Sequence, residues 1–207
     1  MIKVFRRVYD DSYFATSTPS FVHQTAAKAK IVKSAKTGGD LLEIGCGDGS
    51  LLRELADHFR VTGVDVSPFA LEKAKQVVRG GKLQLMDIEG DKLDGKYDVV
   101  VALDVLEHLK EPVQAVAKIK KALKRGGVFI FSTANNYGLF GRIATAVGNY
   151  FDKTHISTLP RKEWLDMMES LQFKLIAVMN KTWFGFGRKE YTKHFASNFL
   201  VVLQNTQ

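Results

Sequence analysis

The residues that could do chemistry concentrate in one glycine-rich segment, Leu41-Leu42-Glu43-Ile44-Gly45-Cys46-Gly47-Asp48-Gly49-Ser50. An apolar run that reads as a buried strand leads into a turn with three glycines, which let the backbone bend sharply and approach a ligand closely. The glycine spacing differs from the Gly-x-Gly-x-x-Gly turn that binds dinucleotides. Glu43 stands just before the turn, where its carboxylate would repel a pyrophosphate. The segment therefore predicts a ligand site of another kind.

A second carboxylate, Asp65, follows the next apolar run, Val61–Val64. A carboxylate at the end of a strand can accept hydrogen bonds from both hydroxyls of a ribose. The alternative is that Asp65 only caps the helix that begins near Ser67 and Pro68. Because the glycine turn precedes it, we interpret Asp65 as a ribose ligand.

The elements that position these residues alternate between strands and helices, a rhythm typical of a parallel sheet covered by helices. Pro68 and Pro112 are predicted to open two of the helices. The second helix is predicted to bury Val113 and Leu123 and to stop at Gly126-Gly127. The predicted strands share continuous apolar character, which indicates burial on both faces; they are Leu41–Ile44, Val61–Val64, Leu83–Met86, Val99–Leu103 and Val128–Phe131.

After the fifth strand the rhythm changes. A helix introduced by Thr158 and Pro160 precedes two final strands, Lys174–Met179 and Asn198–Leu203, with the aromatic and basic loop 183–189 between them. The whole pattern predicts an α/β three-layer sandwich whose seven-stranded sheet is mostly parallel, with an antiparallel last strand. We expect a single domain with four segments: a helical cap at 1–37, a core at 38–134, a substrate-side insertion at 135–157, and a helix with strands at 158–207.

Composition limits the classes of protein. A single cysteine in 207 residues excludes an internal disulfide and a cysteine-based zinc site, and no metal site is expected. The start of the chain lacks the apolar run of a signal peptide, and no stretch is apolar for long enough to cross a bilayer. These features predict a cytoplasmic protein. The net charge of +8 resides in the flanks, with +5 in residues 1–37 and +4 in residues 138–207, which also allows peripheral contact with an acidic membrane.

The sequence resembles the class I S-adenosylmethionine-dependent methyltransferases over residues 38–134. The motifs that carry the resemblance are the glycine turn, the acidic residue at 65, the segment Leu85–Ile88, the segment Tyr97–Leu109 and Leu123–Ile130. The resemblance implies a Rossmann-like fold and S-adenosyl-L-methionine as the cofactor, with S-adenosyl-L-homocysteine as the product. It assigns these residues to cofactor binding: Glu43, Gly45, Cys46, Gly47, Asp65, Val66, Met86, Asp87, Ile88 and Leu103. Among them Gly45 to Gly47 would support the methionine end, Asp87 and Ile88 would hold the adenine, and Leu103 would offer a backbone contact.

Two histidines, His108 and His155, are the candidate catalytic residues, because imidazole titrates near neutral pH and can act as a general base. A base assists methyl transfer when the acceptor is a hydroxyl or a protonated amine. The alternative for His108 is packing after the fourth strand. The alternative for His155 is a structural hydrogen bond within a loop.

The layout after the fifth strand is similar to that of ubiquinone-biosynthesis O-methyltransferases, which favours a small-molecule acceptor. Segments 1–20, 137–157 and 181–195 are rich in aromatic and basic residues, and we expect them to roof a pocket for an anionic, aromatic or lipidic acceptor. Alternatives are an RNA or protein methyltransferase, or a non-catalytic module that binds the cofactor or lipid. Nucleic acid is the less favoured partner because the fourth strand ends in Ala-Leu-Asp-Val, unlike the motif of amino-methylating DNA enzymes.

Overall fold

The computed structural model describes residues 20–134, 155–182, 185–187 and 198–207. These residues form two compact units, divided after Val101 inside the fourth strand. Most of the predicted insertion at 135–157 and nearly all of the predicted roof segments lie outside the described residues. In the described part of the chain, no helix is long and apolar enough to span a bilayer.

The first unit alternates helices and parallel strands. Its elements are α1 (Ser20–Ala35), β1 (Gly39–Ile44), α2 (Ser50–Leu55), β2 (Phe59–Asp65), α3 (Pro68–Val77) and β3 (Lys82–Leu85). β1 pairs with β2 in parallel, with Ile44 opposite Val64, and β2 pairs with β3 in parallel, with Asp65 opposite Leu85. The carboxyl ends of these strands therefore lie at the same edge of the sheet.

The start of α3 follows the local sequence. Ser67 has extended backbone angles and its hydroxyl accepts a hydrogen bond from the Ala70 N–H at 3.2 Å, which satisfies an otherwise unpaired donor. Pro68 fits the first helical position, where no N–H is needed. Leu71 and Ala74 continue the buried face, so the predicted beginning of this helix is confirmed.

The second unit contains the end of β4 (Tyr97–Leu103) and a short 3₁₀ helix, Leu106–His108. It continues with α4 (Pro112–Ala122), β5 (Leu123–Ala134), α5 (Arg161–Ser170), β6 (Phe173–Thr182), β7 (Gly185–Gly187) and β8 (Asn198–Asn205). β8 is antiparallel to both β5 and β6. The core of the second unit is aromatic, since the centroid of the Phe131 ring lies 6.0 Å from that of Trp164 and 6.3 Å from that of Phe199.

The strands follow the order β3-β2-β1-β4-β5-β8-β6-β7 in one sheet. The predicted Rossmann-like fold with an antiparallel last strand is confirmed. β7 is an additional three-residue strand inside the region predicted as a loop. The order reverses at β1, so the glycine turn after β1 occupies the topological switch point, where open α/β sheets bind ligands.

Three details around α4 differ from the predictions. The helix ends at Ala122, because Leu123 already has extended angles and its N–H caps the carbonyls of Ile119 and Lys120. Gly126 and Gly127 therefore lie within β5 and do not terminate the helix. Val113 is 47% exposed, since the buried face of α4 begins with Pro112 and continues through positions 115, 116 and 119.

Candidate functional site

The glycine turn is built by backbone geometry that only glycine adopts readily. Gly45, Gly47 and Gly49 have φ angles of 69°, 52° and 78°, in the left-handed region where a Cβ atom is strained. The N–H groups of Gly45 and Cys46 both donate to the Val64 carbonyl, at 2.8 and 3.1 Å. These bonds fix the turn against the end of β2.

Asp65 lies at that end of β2 and binds the turn directly. Its Oδ2 accepts the Gly47 N–H at 2.9 Å and its Oδ1 accepts the Ser67 N–H at 2.8 Å. Burial raises the pKa of this carboxyl, and the N–H groups partly offset that rise. The Val66 N–H also donates to this carboxylate. A carboxylate offers about four acceptor positions, so the group retains capacity to accept from a ribose hydroxyl.

The predicted adenine segment begins beside Asp65. The Met86 N–H donates to the Asp65 carbonyl at 3.0 Å, which extends the pairing of β2 and β3 by one residue. The side chains of Met86 and Ile88 are buried and Val66 is half-buried. One oxygen of the half-buried Asp87 accepts the Glu89 N–H at 2.9 Å, so Asp87 holds its own loop and retains acceptor capacity.

Glu43 and Cys46 flank the turn as buried groups. Burial is the largest cause that raises the pKa of Glu43 from 4.5 to about 8; the charge of Lys28 opposes the rise, and the charges of Asp65 and Asp48 add to it. Its Oε2 has no hydrogen-bond partner within the described residues. Burial also raises the pKa of the Cys46 thiol, so this side chain packs in the core and is not a thiolate nucleophile.

The end of β4 carries a strained residue that sequence reasoning did not single out. Leu103 is half-buried, and Asp104 after it has a φ of 56°, which is uncommon for a residue other than glycine. The Asp104 carboxylate accepts hydrogen bonds from the Ser132 hydroxyl at 2.8 Å and from the Asn198 amide at 3.0 Å. These contacts hold the strained turn at the carboxyl ends of β4 and β5.

The structure brings the two candidate histidines together. The rings of His108 and His155 lie edge to face, with centroids 4.6 Å apart. The cause is a pair of backbone bonds: the N–H groups of Ile156 and Ser157 both donate to the Glu107 carbonyl at 2.9 Å. Sequence spacing gave no sign of this contact, because it depends on a non-local hydrogen bond.

Glu107 is the third member of this group and was not assigned a role from the sequence. It is 1% exposed. Burial, followed by the charge of Asp104, raises its pKa from 4.5 to about 8. The sequence signal was a glutamate between Leu106 and His108, four residues after a buried strand; a charge at a buried position is costly unless it is paired.

A family model described as a methyltransferase domain matches residues 19–178. The chain belongs to this methyltransferase-domain family. The predicted class is therefore confirmed, and the predicted donor, S-adenosylmethionine, is confirmed at the level of the family.

Three similar proteins illustrate the relationship. The chain is 37% identical over 105 residues to the ubiquinone biosynthesis O-methyltransferase of Idiomarina loihiensis, covering 47% of this chain and 43% of that protein. It is 34% identical over 125 residues to the malonyl-[acyl-carrier protein] O-methyltransferase of Anoxybacillus flavithermus, covering 58% and 46%. The crystal structure of magnesium protoporphyrin IX methyltransferase from Synechocystis with bound S-adenosylhomocysteine superposes with a TM-score of 0.71 at 19% identity, covering 98% of each chain.

These matches differ in what they support. The chain spans less than half the length of the two curated relatives. Membership of the family therefore does not assign their acceptor substrates to this chain. The crystal structure supports the fold alone at this identity.

Proposed function

We propose that this chain transfers the methyl group of S-adenosylmethionine to an oxygen atom of a small-molecule acceptor. One observation carries the assignment of the methyl donor. The Asp65 carboxylate, the proposed ribose-binding group, accepts the Gly47 N–H at 2.9 Å and therefore lies against the glycine turn. The oxygen acceptor is supported by the relatives, whose names give O-methylation in ubiquinone biosynthesis and of malonyl-[acyl-carrier protein].

The cofactor would be held by residues at the carboxyl ends of the strands. Gly45, Cys46 and Gly47 would approach its methionine end through the backbone, and Asp65 would accept the ribose hydroxyls. Val66, Met86, Asp87 and Ile88 would border the adenine, with Asp87 accepting its amino group, and the Leu103 carbonyl would complete the set. The positive φ angles of the glycines support this close approach.

Glu43 would supply charge complementarity. Its buried carboxyl has a raised pKa because it lies away from water, and its Oε2 has no partner in the described residues. S-adenosylmethionine carries an ammonium group and a sulfonium centre, and a nearby cation stabilises an ionised carboxylate. A dinucleotide would bring negative charge to the same turn and be disfavoured.

The chemistry requires little beyond alignment. The acceptor oxygen attacks the methyl carbon in line with sulfur, the new O–C bond forms as the C–S bond breaks, and the electron pair remains on sulfur in S-adenosylhomocysteine. A hydroxyl acceptor must also lose its proton. His155 or its neighbour His108 would accept that proton as the general base; both rings are half-buried, and their contact supports a shared role.

Release of S-adenosylhomocysteine tests this function. The purified chain is incubated with S-adenosylmethionine and a panel of small phenols, carboxylic acids and acyl-carrier thioesters, with RNA and protein as comparison acceptors. We expect product release above the acceptor-free rate with at least one oxygen acceptor from the panel. Cofactor binding without release for any acceptor would instead indicate a non-catalytic module.

We also propose that the acceptor is apolar or anionic and is taken up at an acidic membrane surface, within the cytoplasm. The support is the net charge of +8 and its concentration in the two flanks of the chain. Basic residues near an anionic surface contribute about 1 kcal/mol each to attachment.

A further inference from the structure

Three side chains that can bind metal ions converge in the second unit. The carboxylate of Glu107 and one ring nitrogen from each of His108 and His155 all lie within 4.8 Å of one another. Two of the three are neighbours in the short helix after β4, and the third comes from a distant part of the chain. The group follows the carboxyl end of β4, the edge at which folds of this type bind ligands.

The convergence is held by hydrogen bonds rather than by chance proximity. The Glu107 carbonyl accepts the N–H groups of Ile156 and Ser157 at 2.9 Å each. The Ser157 hydroxyl donates to the Leu109 carbonyl at 2.6 Å. These bonds join the segment after His155 to the two residues that bracket His108, so the backbones that carry the two rings are held side by side.

The carboxylate points to a cation. Glu107 is 1% exposed, and its Oε2 has no hydrogen-bond partner in the described part of the chain. The Asp104 carboxylate, held by Ser132 and Asn198, is a second acidic group three residues before Glu107. Backbone N–H groups of Glu107 and Ala134 donate to the carboxyl, but Oε2 is left without a partner among the described residues. A buried oxygen without a hydrogen bond is costly, and a bound cation removes that cost.

We propose that Glu107, His108 and His155 bind a divalent first-row transition-metal ion, of the Mn²⁺ or Zn²⁺ type. Imidazole nitrogens favour Zn²⁺ and a carboxylate suits Mn²⁺, whereas Mg²⁺ and Ca²⁺ prefer sites composed of oxygen. Three protein ligands leave coordination positions open, as in catalytic rather than structural sites.

The open position gives the ion a role in the reaction, and this step rests on the proposed function. A hydroxyl or carboxyl oxygen of the acceptor would occupy it, and the ion would lower the pKa of a bound hydroxyl. With the ion bound, His108 and His155 are ligands, and the ion replaces them as the group that activates the hydroxyl. The hydroxyl proton then leaves to solvent, the oxygen attacks the methyl carbon, the C–S bond breaks, and sulfur keeps the electron pair. The site would therefore select acceptors with an oxygen that can coordinate a metal.

Direct metal binding tests the site without any methyl transfer. Chelator-treated protein is titrated with MnCl₂ and free Mn²⁺ is followed by electron paramagnetic resonance, with ZnCl₂ added in competition. We expect one Mn²⁺ per chain, displaced by Zn²⁺. Glu107→Gln and His155→Ala should each weaken binding by at least about tenfold, and His58→Ala, at an exposed histidine of the first unit, should bind as the wild type does.

The outcomes are separable from those of the proposed function. Circular dichroism checks that each variant is folded, and half-buried His155 provides a second variant if Glu107→Gln unfolds. Absence of stoichiometric binding by the wild type, or equal binding by His155→Ala, overturns the metal site. The affinity for S-adenosylmethionine, measured by calorimetry, should be the same for the chelator-treated and the metal-loaded protein. If neither form binds S-adenosylmethionine, the methyltransferase function is contradicted and the metal result still stands.

Discussion

At the level of single residues, Asp65 has two tasks that an experiment can separate. Its carboxylate already accepts the Gly47 and Ser67 N–H groups, and we propose that it also accepts the ribose hydroxyls. We expect Asp65→Ala to weaken S-adenosylhomocysteine binding by about 1–3 kcal/mol, the range for hydrogen bonds to a charged group. Calorimetry measures the loss, with Asp57→Ala at an exposed aspartate as the control.

A ligand variant distinguishes the two tasks of Asp65. S-adenosylhomocysteine without its ribose 3′-hydroxyl should bind the wild type more weakly, yet lose little further affinity in Asp65→Ala, because the hydrogen bond is already missing. If the two losses simply add, Asp65 acts only on the glycine turn, and the ribose assignment is wrong.

The second prediction at this scale concerns Glu43 and pH. The pKa of its carboxyl in the folded chain is about 8, against an ordinary value of 4.5, so the folded state holds a proton that the unfolded state has lost. The stability this provides is complete below about pH 4.5 and disappears as pH rises towards 8. We expect Glu43 to contribute on the order of 3–5 kcal/mol to the fall in the free energy of unfolding of the cofactor-free chain across that window, beside the contribution of Glu107, whose pKa is raised to about 8 as well.

Glu43→Gln removes the group that titrates. Urea unfolding at several pH values should give a flatter profile for this variant, with a higher free energy of unfolding than the wild type at pH 8.5. Parallel profiles for the two proteins would contradict a raised pKa at Glu43.

At the scale of elements, the glycine turn is locked to α3 by close packing. A Cβ atom on Gly49 would lie 2.7 Å from Val78 Cγ2 and 3.0 Å from the Ala74 backbone. We expect Gly49→Ala to destabilise the chain by about 2 kcal/mol or more, from the strained φ angle and the overlap together. Gly80→Ala is the matched control, since its φ of 71° is similar but no atom lies within 4 Å of its Cβ.

The two glycine variants isolate packing from strain. Gly80→Ala should cost only about 1 kcal/mol, and thermal or urea unfolding measures the difference between them. Equal losses would mean that α3 moves aside without cost and that the packing of the turn on this helix is not rigid.

The elements also show which parts of the fold were predictable. β1 and β2 were readable because continuous apolar runs mark strands buried on both faces, and Ser67-Pro68 marked the start of α3. The beginning of β5 could not be predicted, since its residues have the composition of a turn although they belong to the strand; they are Lys124-Arg125-Gly126-Gly127. β7 has only three residues, two of them glycine, and carries no apolar pattern.

The candidate site divides in the same way. The glycine turn and Asp65 follow from local sequence, because their geometry depends on neighbouring residues. The meeting of Glu107, His108 and His155 depends on hydrogen bonds between segments far apart in sequence, which no periodicity records. The strain at Asp104 likewise arises from contacts with Ser132 and Asn198.

At the scale of the whole molecule, charge placement leads to a prediction about membranes. The flanks carry the positive excess, with +5 in residues 1–37 and +4 in residues 138–207, and the proposed acceptor is apolar or anionic. We expect the chain to sediment with vesicles containing phosphatidylglycerol at low salt, and not with neutral phosphatidylcholine vesicles. Because the attraction is between exposed charges, 0.5 M salt should release the protein.

Two charge-reversal variants decide whether the attraction resides in the flank. Arg6→Glu with Arg7→Glu changes the net charge by the same amount as Lys121→Glu with Arg125→Glu, at two exposed positions at the end of α4 and the start of β5. If the N-terminal flank contacts the surface, only the first pair abolishes sedimentation, since each basic residue near the lipid contributes about 1 kcal/mol. Equal loss in both variants would mean that net charge alone attracts the chain, and the acceptor would then be sought among water-soluble compounds.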